Sequence, residues 1–272
     1  MNRKIFFITI GWILVLFFVL GCIFYWYYEQ QKNPSYAEAV KQLKVPGVLT
    51  VGGDIPFGIM EFFNDKGQPD GLEVEFAKDI ADRLGVRLNY KDYNWDSLFS
   101  ALENGEFDLV ISSVSITPER SEKFLFSAPY FSGGQTIVIR SDNQEIKSFN
   151  DIRSKKIGVQ VDTTGYMEAK KYTDKKNIVT YGNILDYDAG TGIVHDIKQG
   201  NIDLIIIDYI QAITLVKKNP TLKLLGDPFT QEYYGVMAKK GNDKLIEAVN
   251  GVIREMKHDN RLSELENKWK NY

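Results

Sequence analysis

The sequence predicts an α/β fold with a largely parallel sheet, on three observations. Short apolar runs bounded by polar loops alternate with segments of helical spacing along most of the chain, the pattern of strand–helix–strand units. The chain also echoes itself: Asn104-Gly-Glu-Phe-Asp-Leu-Val-Ile returns as Gln199-Gly-Asn-Ile-Asp-Leu-Ile-Ile. Each copy follows a helical segment and each apolar run ends at a polar residue, which two similar units would explain. Finally, Asp108 to Arg120 (DLVISSVSITPER) joins an apolar strand, a serine-rich loop and a helix start. Ligands of open α/β sheets bind outside the carboxyl ends of the strands, so two such units face to face would enclose a cleft.

In chain order, a short helical piece is expected at Tyr36 to Lys44, a strand at Val48 to Val51 and a loop at Gly52 to Gly58. Asn64 to Asp70, with Lys66-Gly67 inside, reads as a hairpin turn. Phe76, Ala77, Ile80, Ala81 and Leu84 share one helical face, and Gly85 stops that helix. Val86 to Tyr90 is a strand, Asp96 to Glu103 a helix closed by Asn104-Gly105, and Leu109 to Ile111 the strand of the serine-rich stretch. Thr136 to Arg140 and Lys156 to Val161 are strands, followed by a loop at Asp162 to Gly165 and a helix at Tyr166 to Lys171. A helix at Gly192 to Gly200 leads to the strand Leu204 to Ile207, after which Asp208 opens the helix Tyr209 to Lys218. Tyr233 to Lys239 reads as one strand, and Leu245 to Lys257 and Leu262 to Trp269 as closing helices.

Composition narrows the function classes. The chain has 272 residues, 25% charged and 44% hydrophobic, with a net charge of -3. That supports a sizeable core, and the lack of a basic excess argues against nucleic acid. The single cysteine, Cys22, lies in the N-terminal segment, and the only histidines are His195 and His258. A zinc site would need carboxylates and distant histidines, so neither a metal nor a cofactor is expected.

The N-terminus reads as a membrane address. Arg3 and Lys4 precede Ile5 to Tyr28, a run without one charge and longer than the roughly 20 residues that span a bilayer. Positive residues on the short side keep that end in the cytoplasm and send the rest outward. Val19-Leu20-Gly21-Cys22 also resembles a lipoprotein cleavage site, whereas the following IFYWYY looks like an interfacial aromatic belt. Uncleaved anchor and lipoprotein both stand. Either way, residues 1–28 address the membrane, residues 29–46 form a tether, and the globular part lies outside the cytoplasmic membrane, periplasmic or extracellular.

Four loops at strand ends carry candidate chemistry. In the serine-rich stretch, Thr117 and Pro118 mark a helix start and Arg120 falls in its first turn, where a cation opposes the helix dipole. An anion held between the guanidinium, Ser113, Ser115 and the free amides would reverse that penalty. The plainer reading is a surface arginine paired with Glu119 or Glu122. Thr163 or Thr164 can cap a helix and offer donors to an anion, or be an ordinary cap. Asp208, after an apolar strand, needs either a helix N-terminus or a cation. Asp54 and Phe57, with Trp95, bring a carboxylate and two aromatics, though both rings could be core. Together these form a set for a zwitterion: donors and arginine for a carboxylate, aspartate for an ammonium, aromatics for the remainder.

With SITPER after a strand, the helix at Glu73 to Leu84, the segment KKIGVQVDTTG, the strand before Asp208 and the ending ENKWKNY in this order, the chain resembles the bacterial extracellular solute-binding proteins, family 3. These are the polar amino-acid-binding proteins of ABC importers. The resemblance runs from about Val48 to the C-terminus. It implies a two-lobed periplasmic-binding-protein-like fold (type II) with two crossing hinge strands, near Tyr130 to Arg140 and Tyr233 to Lys239. Lobe 1 would comprise 47–134 and 235–272, and lobe 2 135–234. The family's carboxylate contacts map to Ser113, Ser115, Arg120 and Thr164, its ammonium contact to Asp208, its aromatic walls to Phe57 and Trp95, and its selectors to Asp54 and Gln160. The chain departs from the pattern at Asp162, where glycine is usual before the threonine pair, and at Gly58-Ile59-Met60, where Pro-Phe is common.

The expected function is capture of a free amino acid by lobe closure and delivery to an ABC-transporter permease, without catalysis. A carboxylate beside two aromatic faces suits a guanidinium or ammonium, which ranks arginine or another basic amino acid first and glutamine or a similar polar one second. The rivals are a dehydratase-like enzyme on the same fold, with Asp54 or Glu61 as general acid, and a ligand-sensing ectodomain.

Overall fold

The computed structural model describes residues 19–21, 34–182, 184 and 191–270. Most of the expected anchor at 1–28 and the start of the tether lie outside these. Among the described residues, no helix is long and apolar enough to cross a membrane.

The end of the tether is docked onto the fold. Helix α1 (Pro34–Ala39) passes into a 3-10 turn at Val40–Gln42, shorter than the helix expected to Lys44. Ala39 and Leu43 are buried, and the Tyr36 hydroxyl donates to Glu255 Oε1 at 2.8 Å.

Strand β1 (Val48–Gly53) is buried at every position, as a strand covered on both faces must be. β2 (Phe62–Phe63) and β3 (Pro69–Asp70) form the expected hairpin, its turn tied by Asn64 Oδ1, which accepts the Lys66 and Gln68 amides. Helix α2 (Leu72–Leu84) buries Phe76, Ala77, Ile80, Ala81 and Leu84 and stops at Gly85, whose φ of 72° closes the helix. β4 (Arg87–Asp92), α3 (Trp95–Glu103), β5 (Leu109–Val110), α4 (Pro118–Lys123) and β6 (Phe124–Phe126) follow. β7 (Phe131–Gly133) then leaves this unit and β8 (Gln135–Arg140) enters a second one. There come β9 (Ile157–Gln160), α5 (Thr164–Tyr172), β10 (Ile178–Tyr181), α6 (Gly192–Gln199), β11 (Leu204–Asp208), α7 (Tyr209–Lys218) and β12 (Leu222–Leu224). β13 (Glu232–Tyr234) returns, and β14 (Met237–Lys239), α8 (Asp243–His258) and α9 (Arg261–Lys270) complete the first unit.

Each unit is a five-stranded sheet, ordered β4-β1-β5-β14-β6 in one and β10-β9-β11-β8-β12 in the other. β1 runs parallel to β4 and β5, and β9 parallel to β10 and β11. β14 and β8 are antiparallel to their neighbours, so both sheets are mixed where the sequence suggested a largely parallel one. The reason is topological: these two strands arrive by crossing between the units, not through a helical crossover. β7 and β13 pair antiparallel as the crossing ribbon.

The single strand expected at Tyr233 to Lys239 is two. β13 belongs to the ribbon and β14 to the first sheet. The break falls at Gly235, where a Cβ would come within 2.9 Å of the Ile116 side chain, so the chain turns through a position that accepts no larger residue without movement. β6, β10 and β12 were not legible as strands.

Apolar clusters cover both faces of each sheet. One in the first unit centres on Leu49, Phe76, Ile80, Val249 and Trp269, and its other face packs Leu98, Leu102, Phe107 and Val110. The second unit is closed by Val138, Ile197 and Leu215 on one side and by Ile139, Ile157 and Ile206 on the other. The units touch across the cleft: Ile210 packs against the first unit's core, and a Cβ on Gly58 would meet Thr214 Oγ1 at 3.0 Å. This is a closed conformation.

Candidate functional site

The carboxyl ends of β1, β4, β5, β9 and β11 point into the cleft between the units, the place open α/β sheets offer to ligands. A cavity occupies it. Asp54, Phe57, Trp95, Ser113, Ser115 and Arg120 line it from the first unit, and Gln160, Thr163, Thr164 and Asp208 from the second. Every residue expected to contact the ligand therefore lines one cavity.

Arg120 is placed by its helix start. Thr117 caps α4 by accepting the Arg120 amide at 3.2 Å, with Pro118 at the first helical position. Arg120 is only 8% exposed. Nη1 donates to the Ser115 carbonyl at 2.9 Å and Nη2 crosses the cleft to the Asp162 carbonyl at 3.0 Å. Its Cζ lies 5.5 Å from the Trp95 ring and 5.3 Å from that of Phe99. Among the described residues no carboxylate pairs with it within 4.0 Å, so the expected alternative of a surface pair with Glu119 or Glu122 does not form. Burial pulls its pKa down to about 10, against the pull of Glu232, Asp162 and Glu119. A buried guanidinium without a carboxylate is costly, and an anionic ligand group would relieve that cost.

Asp208 does cap its helix, accepting the Ile210 amide at 2.9 Å. Its second oxygen accepts the Tyr234 hydroxyl in a short bond. Burial raises its pKa to about 7 against these two donors, and the negative charges of Glu232 and Glu73 add to the rise. Asp54 is likewise pushed up to about 7, first by burial and then by Asp92, while the Trp95 amide and Gln160 oppose the rise. Gln160 itself donates to the Gly182 carbonyl at 3.0 Å. Thr163 is the cap of α5, accepting the Tyr166 amide at 3.2 Å, which turns the helix's first free amides toward the cavity. Phe57 and Trp95 are both core and wall: each is buried, and each lines the cavity.

Two buried glutamates stand behind the floor: Glu73, which was missed, and Glu61, the general-acid candidate of the enzyme reading, which does not line the cavity. Glu73 Oε1 accepts the Ser113 amide at 2.7 Å, the Ser113 hydroxyl at 3.0 Å and a short bond from the Tyr130 hydroxyl. This holds Ser113 at φ 47°, a left-handed conformation that costs a non-glycine residue about 1–3 kcal/mol. Glu61 accepts the Ser112 hydroxyl at 2.5 Å and the Tyr90 hydroxyl at 2.6 Å, and Ser112 Oγ in turn accepts the Asp54 amide at 3.0 Å. Burial raises the pKa of both, Glu73 to about 7. Nothing in the sequence separated Glu73 from an ordinary first-turn helix acid.

Glu232, at the start of β13, was also missed. It accepts hydrogen bonds from the Ser115 and Thr164 hydroxyls, so both hydroxyl protons assigned to a ligand carboxylate are already engaged. Asp162, the unusual residue before the threonine pair, is left-handed at φ 56°, and it meets Arg120 through its carbonyl.

The chain is similar to several known proteins. The L-cystine-binding protein TcyJ of Escherichia coli (strain K12) is 36% identical over 232 residues, 85% of each chain. A crystal structure of a mutant of ArgBP from T. maritima superposes with a TM-score of 0.77 at 34% identity, covering 86% of this chain and 100% of that one. An ancestral arginine-binding protein bound to glutamine gives 0.75 at 34% identity, covering 83% and 98%. The model of one family matches residues 49–272, and the chain belongs to it: the bacterial extracellular solute-binding proteins, family 3.

Proposed function

We propose that this protein captures a free amino acid outside the cytoplasmic membrane by closing its two lobes, and delivers it to the permease of an ABC importer. The observation that carries the reading is Arg120, a buried guanidinium with no carboxylate partner among the described residues, facing a cavity that also presents Asp208 and Asp54. An α-carboxylate lies on Arg120 and the first amides of α5, an α-ammonium on Asp208, and the side chain runs between Phe57 and Trp95 toward Asp54. The lobes take the ranges 47–134 with 235–272 and 135–234, and the N-terminal segment holds the protein at the membrane as a lipoprotein or an uncleaved anchor.

Asp54 ranks the ligands. A second cationic group would pair with it and stack on the aromatic walls, a contact of about 0.5–2 kcal/mol. Arginine or another basic amino acid therefore comes first, and a polar one such as glutamine second. L-Cystine belongs in any screen, because the Escherichia coli relative is named for it and its distal ammonium would also meet Asp54. A thermal-shift screen of the twenty amino acids and L-cystine tests the ranking. The strongest stabilisation is expected from arginine, and strongest stabilisation by glutamate, aspartate or a large aliphatic residue would overturn it.

A further inference from the structure

Glu232 stands on the crossing ribbon, opposite Gly133 of β7, and reaches both lobes. Its Oε2 accepts the Ser115 hydroxyl from the first and, at 2.8 Å, the Thr164 hydroxyl from the second. Its Oε1 accepts the Thr230 hydroxyl at 3.1 Å. Thr230 is itself tied to the second lobe, since its oxygen accepts the Gln135 amide at 2.7 Å, and Gln135 Nε2 donates to Thr164 Oγ1 at 3.1 Å. Glu232 does not line the ligand cavity, whereas Ser115, Thr164 and Gln135 do. It sits behind the wall and holds it.

We infer that Glu232 is an interlobe clasp, a positioning residue that stabilises the closed cleft whether or not a ligand is present. One oxygen atom accepts a hydroxyl from each lobe, so it cannot follow two hydroxyls that move apart. Opening the cleft at this point breaks one bond and leaves a carboxylate short of a donor. Bonds to a charged acceptor are about twice as strong as neutral ones, which makes this junction worth more than its two hydroxyls suggest. The clasp also fixes where the hydroxyl protons point. With both spent on Glu232, Ser115 and Thr164 present lone pairs to the cleft, and the anion-binding donors are Arg120 and the backbone amides.

The inference rests on the lobe-closure reading, and the test separates the two. Spin labels are placed on Lys78→Cys in the first lobe and Lys176→Cys in the second, in a full-length Cys22→Ser background. Interlobe distances are then measured by pulsed electron resonance, empty and with saturating L-arginine, L-glutamine or L-cystine, whichever stabilises the parent protein most. Glu232→Ala should shift the empty protein toward longer distances, with the liganded distance unchanged. Glu232→Gln keeps the size and one acceptor oxygen, guards against misfolding, and should fall between. Stopped-flow release followed by cleft tryptophan fluorescence should be about tenfold faster or more in Glu232→Ala. Empty-state distances and release rates equal to the parent's in both variants would overturn the clasp. If instead the parent binds none of the three amino acids and Glu232→Ala still opens the empty protein, the clasp stands and the ligand reading fails.

Discussion

Arg120→Ala should weaken amino-acid binding by roughly 10²- to 10³-fold while the protein stays folded. The magnitude follows from what surrounds the guanidinium. It is buried beside two aromatic rings and, among the described residues, bound to the Ser115 and Asp162 carbonyls, so a ligand carboxylate there would be paired in a desolvated site. Breaking such a pair by removing one partner costs about 3–5 kcal/mol, and each 1.4 kcal/mol is tenfold in affinity. The fold should survive because α4 is capped through the Arg120 backbone amide, not its side chain, and the two freed carbonyls face a cavity that admits water. Titration calorimetry with the strongest ligand from the screen measures the loss, and circular dichroism checks the fold. Arg120→Lys should recover only part of the affinity, since it keeps the charge and loses the fork. Affinity within threefold of the parent in a folded Arg120→Ala would refute the carboxylate assignment.

Other outcomes follow from the carboxyl groups. Asp54→Asn should weaken L-arginine at least tenfold more than L-glutamine in calorimetry, because only the cationic side chain loses its counter-ion; equal losses would remove Asp54 from selection. Burial raises Asp54 and Asp208 to about 7, and a cationic partner favours their charged forms. Arginine affinity should therefore rise with pH up to about 8 and fall below 7, with proton release that appears as a buffer-dependent enthalpy. Glu61 and Glu73 have folded pKa values raised above their unfolded ones. Their stabilising effect is fully present below the unfolded value and is lost as pH rises through the folded one. The empty protein should thus lose thermal stability between pH 5 and 8, and Glu73→Gln should flatten that profile in differential scanning calorimetry.

Much of this site was legible because its residues follow strands. Apolar runs such as Leu204 to Ile207 announce their own ends, and a polar residue just past such an end has few places to go but the cleft. The start of α4 was equally readable, since Thr117 and Pro118 are local signals that need no tertiary contact. The residues behind the wall were hidden for the opposite reason. Glu73 looks like a first-turn helix acid, favourable beside the helix dipole, and only the packing of Tyr130 and the Ser113 loop makes it a buried anchor. Glu232 lies in a stretch that alternates poorly, and its partners Ser115 and Thr164 are distant in sequence. The split of Tyr233 to Lys239 into β13 and β14 depends on Ile116 lying against Gly235, a contact between remote segments. Short strands such as β6 and β12 carry too few residues for a period to show.

The central claim is that one zwitterion spans this cleft, and a crystal structure of the protein with L-arginine bound tests it most directly. The α-carboxylate should lie on Arg120 and the first amides of α5, the α-ammonium on Asp208, and the guanidinium between Phe57 and Trp95 against Asp54. A ligand in the reverse orientation, with its carboxylate at Asp208 or Asp54 and nothing anionic on Arg120, would contradict it.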